Sequence, residues 1–173
     1  KVRKNINNIL TIIIPRHINR IKEINSDLMN LGLKVQIKNE KDEINHSVDI
    51  VLVNYYGSVN KYLKNIDQVF IGKSILRKFE NTGGQNPIDA AKFGCHIYHG
   101  PYVYNFKEIY KILEENNISK IIHNSSELSE YLIDDLENLD QKNREFTILI
   151  ENLGQKTLTD TMKNINNLIN EIK

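Results

Sequence analysis

The segment Gly83-Gly84-Gln85-Asn86-Pro87 combines residue types that can hold a phosphate. Two glycines let the backbone approach a ligand, Asn86 is a good helix N-cap, and Pro87 suits the first helical position. A helix that begins there exposes free N–H groups, and its dipole attracts an anion to the same end. The segment therefore predicts a phosphate cradle. The spacing from Asn86 to Asp89 also fits a capping box, a pattern common in helices that bind nothing.

A second phosphate contact is predicted at Pro15-Arg16-His17, where an apolar strand gives way to a helix. The guanidinium of Arg16 can meet a phosphate with two parallel donors. The alternative is a solvated arginine at the end of a strand. His17 either assists at the phosphate or caps the helix that follows.

A third candidate turn, Tyr55-Tyr56-Gly57-Ser58, again lies between a strand and a helix. Gly57 permits a tight approach, Ser58 offers a hydroxyl or a helix cap, and Tyr56 can lie against a base or ribose. Alone it would be an ordinary strand-to-helix turn. Three such turns at one sheet edge predict a nucleotide-phosphate site.

The elements that position these turns alternate between strand and helix. Strands are predicted over 9–15, 33–37, 49–53, 67–71, 95–98 and 120–122, and helices over 17–31, 59–64, 87–93, 106–116, 126–139, 141–152 and 157–172. Short apolar strands separated by helices predict an α/β fold, a Rossmann-like doubly wound parallel sheet covered on both faces. Ligands of such sheets bind beyond the carboxyl ends of the strands.

Composition indicates one soluble globular domain. The chain has 173 residues, of which 40% are hydrophobic and 26% charged, and its net charge of +1 gives no electrostatic argument for nucleic acid. Its longest apolar block, 9–14, is far shorter than the roughly 20 residues of a membrane helix. The chain begins with Lys1, from which we expect a fragment whose amino-terminal partner is absent.

Other chemistries are disfavoured by residue placement. His96 and His99 stand three apart on a predicted strand and so face opposite sides, which disfavours a shared metal ion. Cys95, the single cysteine, lies in an apolar run where a buried inert thiol is expected. No serine lies in a nucleophile elbow.

The order of these motifs resembles that in the carboxy-terminal half of 3-deoxy-D-manno-octulosonic acid (Kdo) transferases. The resemblance extends from about residue 10 to about residue 122. It is carried by the following segments: Ile14-Pro15-Arg16-His17, Gly57, Phe70-Ile71-Gly72-Lys73-Ser74, Gly83-Gly84-Gln85-Asn86-Pro87, Gly100-Pro101 and Asn105-Phe106-Lys107-Glu108-Ile109.

The resemblance implies one half of a GT-B glycosyltransferase, with residues 1–173 as its CMP-Kdo binding domain. The enzyme would transfer Kdo to a lipid A precursor at the cytoplasmic face of the inner membrane, and the chain would meet that membrane only through the full-length enzyme. No cofactor and no metal are implied. The CMP contacts carried over are Pro15, Arg16, Tyr56, Gly57, Ser58, Asn86, Pro87, Ile88 and Asp89.

The catalytic base of the family is a glutamate of the amino-terminal domain, so no catalytic residue is assigned here and the fragment is expected to be inactive alone. The chain departs from the family pattern at Asp89 and Ser58, where glutamate is usual, and at Lys73, which replaces a glycine. The segment 77–82 is longer than its counterpart. An apolar stripe near the carboxyl end (Leu158, Met162, Ile165, Ile169) would cover the sheet or cross to the missing domain.

Two alternatives stay open. One is a GT-B domain for another nucleotide sugar, which competition between CMP, UDP and GDP would reveal. The other is a non-catalytic binding or interaction module that keeps the fold and has lost the donor site. In that case Ser58 and Asp89 would be degenerate positions, and no nucleotide would bind.

Overall fold

The chain divides into two compact units, the first ending at Lys64 and the second beginning at Asn65. The structure is a computed structural model that describes residues 2–6, 9–138 and 144–171. Each unit contains a three-stranded parallel sheet with helices in the connections.

The first unit is built around strand β3. Its helices and strands are α1 (Val2–Asn5), β1 (Thr11–Ile13), α2 (Ile21–Asn30), β2 (Val35–Lys38), β3 (Ile50–Val53) and α3 (Val59–Leu63). The strand order is β1-β3-β2, and all pairs are parallel. Every residue of β3 is buried, as expected for a central strand covered on both faces.

Helix α2 carries the apolar stripe that the spacing of its residues predicted. Its stripe of Ile21, Ile24 and Leu28 faces inward, with Ile21 buried and the other two half-buried. A short 3-10 turn, Ile18–Arg20, leads into the helix, and Gly32 ends it with φ +76°, a left-handed value that suits glycine.

The second unit is built around strand β5. Its helices and strands are β4 (Gln68–Ile71), α4 (Ile88–Lys92), β5 (His96–His99), α5 (Lys107–Glu115), β6 (Ser119–Ile121), α6 (Ser125–Asn138) and α7 (Arg144–Glu171). The order β4-β5-β6 is again parallel throughout. Tyr98 and Tyr110 are the largest fully buried side chains of its core. The predicted α/β fold with parallel strands is confirmed, with the strands divided between two sheets.

The two predicted terminal helices are one helix, so that prediction was wrong. Helix α7 runs through Gly154 without interruption, although the positions 141–143 lie outside the described residues. A glycine costs a helix only about 1 kcal/mol relative to alanine, which is too little to end a helix of this length. Its first turns pack on the unit, since Phe146 and Ile150 are buried.

The rest of α7 does not cover the sheet. Leu158, Met162, Ile165 and Ile169 are 44–57% exposed. The predicted stripe therefore exists and is unpartnered among the described residues. No helix within the described ranges combines the length and apolar character needed to cross a membrane.

Candidate functional site

The first unit brings two of the predicted turns to one sheet edge. Strands β1 and β3 are parallel neighbours, with Ile13 in register with Leu52. The Pro15-Arg16 turn leaves the end of β1, and the Tyr56-Gly57-Ser58 turn leaves the end of β3. Because parallel strands end at the same edge, both turns lie at the carboxyl edge of this sheet.

Arg16 presents an unengaged cation at that edge. Its side chain is exposed, and it makes no hydrogen bond or ion pair with the described part of the chain. Four residues later, Arg20 is different, because its guanidinium donates two hydrogen bonds to Glu23, of 2.9 and 3.0 Å. The Arg16 fork is therefore available for a bidentate anion such as phosphate.

The second turn is open at Gly57. This residue has φ +77°, and no atom would lie within 4 Å of an added Cβ. The conformation favours glycine, while the surrounding space leaves the backbone approachable. Next to it, the Tyr56 ring is 67% exposed. A planar ligand could therefore lie against this ring.

Ser58 carries an unsatisfied hydroxyl. The residue is only 2% exposed, and its Oγ has no hydrogen-bond partner within the described ranges. Such a buried group costs roughly 1–3 kcal/mol when it is left unpaired. A ligand can satisfy this hydroxyl only if the turn shifts, because the Oγ is shielded from solvent.

Sequence reasoning missed Lys38 at the same edge. This lysine ends β2 in register with Val53, and it is only 3% exposed. Its Nζ donates to the carbonyl oxygens of Asn39 and Asp42, and lies 5.6 Å from the centre of the Tyr55 ring. The only available signal was a charged residue closing an apolar strand. The contacts give Lys38 a positioning role beneath the Tyr55–Ser58 turn.

In the second unit, the predicted glycine cradle is filled by the protein itself. A Cβ on Gly83 would lie 2.2 Å from the carbonyl oxygen of Tyr102 and 2.6 Å from that of Phe79. Gly84 has φ +86°, and its N–H donates to the carbonyl of Lys73 at 2.9 Å. These glycines therefore let neighbouring backbone, rather than a ligand, approach closely.

The same packing joins the segment Asn105-Phe106-Lys107-Glu108-Ile109 to this loop. The backbone N–H of Asn105 donates to Gly83 at 3.2 Å, and its side-chain amide donates to Thr82 at 3.0 Å. Tyr104, Asn105, Phe106, Lys107, Glu108 and Ile109 line a shallow groove of about 340 Å³. The two resembling segments thus form one structural cluster.

Helix α4 begins one residue later than predicted, with Pro87 and not Asn86 as its N-cap. Asn86 nevertheless bonds to the first helical residue. Its Oδ1 accepts a hydrogen bond of 3.0 Å from the backbone N–H of Ile88, and the intervening Pro87 is buried. Ile88 is half-buried, while Asp89 is exposed and makes no side-chain hydrogen bond or ion pair in the described chain. Helix α4 has five residues, so its dipole is small and individual donors matter more.

The two histidines of β5 have separate structural environments. His99 is fully buried against Tyr110, with ring centres 4.2 Å apart, and its Nδ1 lies 2.9 Å from the carbonyl of Gly100. Burial lowers the pKa of His99. Its Nε2 lies 3.3 Å from Glu114 without the alignment of a hydrogen bond. His96 packs edge-on against Phe146. Across the described residues, no group of histidine, cysteine and acidic side chains is arranged to hold a metal ion.

Comparison with known proteins finds several relatives of one name, and also a bifunctional glycosyltransferase/methyltransferase of Fusobacterium nucleatum that is 26% identical over 175 residues and is covered to 26% of its length. The chain is 24% identical over 163 residues to a 3-deoxy-D-manno-octulosonic acid transferase of Haemophilus influenzae, covering 90% of this chain and 37% of that protein. It is 31% identical over 119 residues to the Rickettsia prowazekii protein of the same name, covering 68% of this chain and 24% of that protein. No family model matches the chain.

A solved structure shares the fold. The carboxy-terminal CMP-Kdo binding domain of WaaA from Acinetobacter baumannii aligns with a TM-score of 0.69 and 19% identity. The alignment covers 83% of this chain and 72% of that structure. The predicted Rossmann-like half of a GT-B protein agrees with this likeness.

Proposed function

Because the chain is homologous over most of its length to 3-deoxy-D-manno-octulosonic acid transferases, we propose that it is the donor-binding domain of such an enzyme. The ligand would be the CMP part of CMP-Kdo. The observation that carries the proposal is the unengaged Arg16 beside the open Tyr56–Ser58 turn, at the shared edge of β1 and β3.

Arg16 would bind the phosphate of CMP. A guanidinium matches phosphate geometry with two parallel donors, and its charge is permanent at physiological pH. When the sugar leaves, negative charge on that phosphate rises. A fixed cation therefore stabilises the transition state more than the ground state.

The nucleoside would lie along the Tyr56–Ser58 turn, with Pro15 beside it. Gly57 allows close approach to the backbone because nothing fills the space next to its Cα. The exposed Tyr56 ring offers a stacking surface, and the Ser58 hydroxyl offers a donor that the protein leaves unpaired. These groups act through shape and hydrogen bonding and supply no net charge.

On the second unit, the resemblance implies contacts from Asn86, Pro87, Ile88 and Asp89. The Asp89 carboxylate is exposed and unpaired in the described chain, so it can accept hydrogen bonds from ribose hydroxyls. Aspartate is shorter than the usual glutamate, and the ribose would shift slightly or be reached through water. Substitution of Asp89 alone tests this proposed group of contacts.

The chain spans 37% and 24% of the two 3-deoxy-D-manno-octulosonic acid transferases described above, and the activity of a whole enzyme is a proposal. We propose that the longer enzyme transfers Kdo to a lipid A precursor in lipopolysaccharide synthesis, at the cytoplasmic face of the inner membrane. Its catalytic base would belong to an amino-terminal domain. The 173-residue chain alone would then bind the donor without transferring the sugar.

The test is a titration with CMP, UDP and GDP followed by amide shifts in NMR spectra. We expect CMP to shift the signals of Gly57 and of residues near Asn86, even at a millimolar Kd, about −4 kcal/mol. An Arg16→Ala variant should lose about tenfold in affinity, since hydrogen bonds to charged groups contribute about 1.5–3 kcal/mol. Arg20→Ala is the matched control, because it removes the same charge from an arginine already engaged by Glu23.

The outcomes separate the alternatives. Tighter binding of UDP or GDP would indicate a domain for another nucleotide sugar. The absence of shifts with all three nucleotides, in this chain and in a longer version, would indicate a binding module without a donor site. Equal losses in Arg16→Ala and Arg20→Ala would contradict a direct phosphate contact at Arg16.

A further inference from the structure

The connection between β4 and α4 carries a concentration of positive charge. Residues 72–87 include Lys73, Arg77 and Lys78, and the carboxylate Glu80 lies among them. Three cations and one carboxylate leave a local charge of +2 before Asp89, whereas the whole chain has a net charge of +1. We call residues 73–82 the basic loop.

The backbone of the basic loop is hydrogen-bonded at both of its ends. Its base is closed by the hydrogen bond from Gly84 N–H to the Lys73 carbonyl, of 2.9 Å. The Ser74 carbonyl accepts from Tyr102 N–H at 2.8 Å, and the Thr82 carbonyl accepts from the Asn105 side chain at 3.0 Å. Because these bonds hold both ends of the loop, less backbone entropy is lost when the cations meet a ligand than for an unanchored loop.

Two of the cations lie close to one aromatic ring. The Nζ atoms of Lys73 and Lys78 lie 5.8 and 5.2 Å from the centre of the Phe79 ring. Arg77 is 87% exposed at its side chain, and its nearest carboxylate oxygen, on Glu80, is 3.8 Å away. Lys73 and Lys78 thus lie around the same ring, and an anion placed beside it is attracted by both, with the exposed Arg77 next to Lys78 in the chain.

Lys73 occupies its position at a conformational cost. Its φ of +58° lies in the left-handed region, which non-glycine residues rarely adopt. A lysine held in this conformation adds a cation where a glycine would fit without strain. Backbone strain of this kind is found preferentially at binding sites.

An apolar side chain stands beside the cations. Leu76 precedes Arg77 and is 51% exposed. Cations flanking an exposed apolar side chain form the type of surface that meets the headgroup and acyl boundary of a membrane. We propose that the basic loop docks on an anionic lipid surface, with its cations at headgroup phosphates and Leu76 at the acyl boundary.

The geometry favours a lipid surface over a soluble phosphate ligand. The cations project from an exposed loop, and the glycine backbone that would line a phosphate cradle is buried against Tyr102 and Val103. The loop precedes the proposed donor contacts at Asn86–Asp89 in the chain but shares no residue with them. A lipid contact by this loop differs from the expectation that the chain meets a membrane only through the full-length enzyme.

The test is co-sedimentation of the chain with vesicles of phosphatidylcholine, with and without about one third phosphatidylglycerol. We expect binding to the anionic vesicles only. The Lys73→Gln/Arg77→Gln/Lys78→Gln variant should bind at least about tenfold more weakly, because each cation near such a surface contributes roughly fivefold. Leu76→Ser should weaken binding about threefold, by removing the apolar contact.

The matched control is Lys22→Gln/Lys61→Gln/Lys163→Gln, which removes three exposed cations elsewhere and gives the same net charge. It should retain binding within about twofold, since screening weakens charges far from the surface. If the triple variant fails to fold, Arg77→Gln/Lys78→Gln, with both positions exposed, is compared with Lys22→Gln/Lys61→Gln.

Three results would overturn the proposal. They are equal binding of the basic-loop and control variants, no preference of the unaltered chain for anionic vesicles, and displacement by inorganic phosphate beyond that by chloride at equal ionic strength. The last would identify a soluble phosphate as the ligand. Because CMP binding should be unchanged in the basic-loop variant, failure here leaves the proposed donor site standing, and the reverse also holds.

Discussion

Gly57 and Gly83 both lie in connections that follow a parallel strand, yet their surroundings are opposite. Nothing lies within 4 Å of a Cβ built on Gly57, while one built on Gly83 meets three backbone carbonyl oxygens at 3.0 Å or less. In the first case glycine provides a left-handed turn with open space. In the second it provides room for the protein's own backbone. The open turn is therefore the better candidate for ligand contact, and the filled turn is a structural element.

The same contrast extends to polar groups. Near the open turn, Arg16 and the Ser58 hydroxyl have no partner in the described chain. Near the filled turns, the Ser74 hydroxyl donates to the Ile71 carbonyl at 2.7 Å and accepts from Gly100 N–H at 2.9 Å. Unpaired groups lower stability and serve ligands, whereas paired groups stabilise the fold. Substitutions should separate the two turns.

The largest effect is expected for Gly83→Ala. The added methyl group would lie 2.2 Å from the Tyr102 carbonyl oxygen, so the backbone of the cluster must move. We expect the free energy of unfolding to fall by more than about 3 kcal/mol, measured by urea denaturation. Gly154→Ala is the control: it lies in the open on α7 and should stabilise by up to about 1 kcal/mol. A loss below about 1 kcal/mol for Gly83→Ala would contradict the filled turn.

The contrast also explains what the sequence could predict. Local rules identified the strands, the inward stripe of α2 and, to within one residue, the start of α4, because each depends on residues a few positions apart. The filling of Gly83 depends on Tyr102, nineteen residues further along the chain. No local pattern contains that contact. The buried position of Lys38 is equally non-local, because it depends on the turn at Asn39–Asp42 and on Tyr55.

Helix α7 shows a different limit. The sequence analysis predicted two helices, over 141–152 and 157–172, and the structure has one helix that continues through the gap between them. The penalty of one glycine is spread over a helix of 28 residues, whose first turns are anchored by Phe146 and Ile150. Propensity is a weak guide wherever neighbouring turns already hold the backbone.

A second effect, on the pH dependence of stability, is expected from His99, which directly precedes Gly100 in the chain. Burial lowers its pKa, so the unfolded chain takes up a proton near pH 6.5 that the folded chain refuses. Stability is therefore complete above about pH 6.5 and falls below it, by up to about 1.4 kcal/mol per pH unit. Urea denaturation between about pH 5 and 8 should show this slope, and His99→Gln should flatten it.

Glu114 is present in both the unaltered chain and the His99→Gln variant. The difference between their slopes of stability against pH therefore measures the contribution of His99. Desolvation raises the pKa of Glu114, and its own contribution is lost as pH rises, the opposite direction. The pKa of His96 is also lowered by burial, so the same measurement on His96→Gln shows the effect of a half-buried histidine for comparison. Identical slopes in the unaltered chain and His99→Gln would show that His99 does not control the acid sensitivity.

A smaller effect is expected for Gly57→Ala. Space is available for the methyl group, so the cost is only that of holding alanine at φ +77°, about 1–2 kcal/mol. Gly57→Asn should cost about half as much, because asparagine tolerates the left-handed region better. Thermal unfolding of the two variants measures the difference. A loss as large as that of Gly83→Ala would mean that the turn is packed and not open.

The smallest effect on stability, and the most informative, is expected for Ser58→Ala. The hydroxyl has no partner in the described chain, so removing it should raise the free energy of unfolding by up to about 1 kcal/mol, the gain being partly offset by the small cavity that alanine leaves. If the hydroxyl serves CMP, the same variant should bind the nucleotide about fivefold more weakly, in line with one neutral hydrogen bond of about 1 kcal/mol. A structural serine would give the reverse result, with lower stability and unchanged binding. Ser74→Ala supplies that reference, because its hydroxyl is paired on both sides and its loss should destabilise the second unit. Only the combination of undiminished stability and weaker CMP binding in Ser58→Ala identifies the open turn as a site for a ligand.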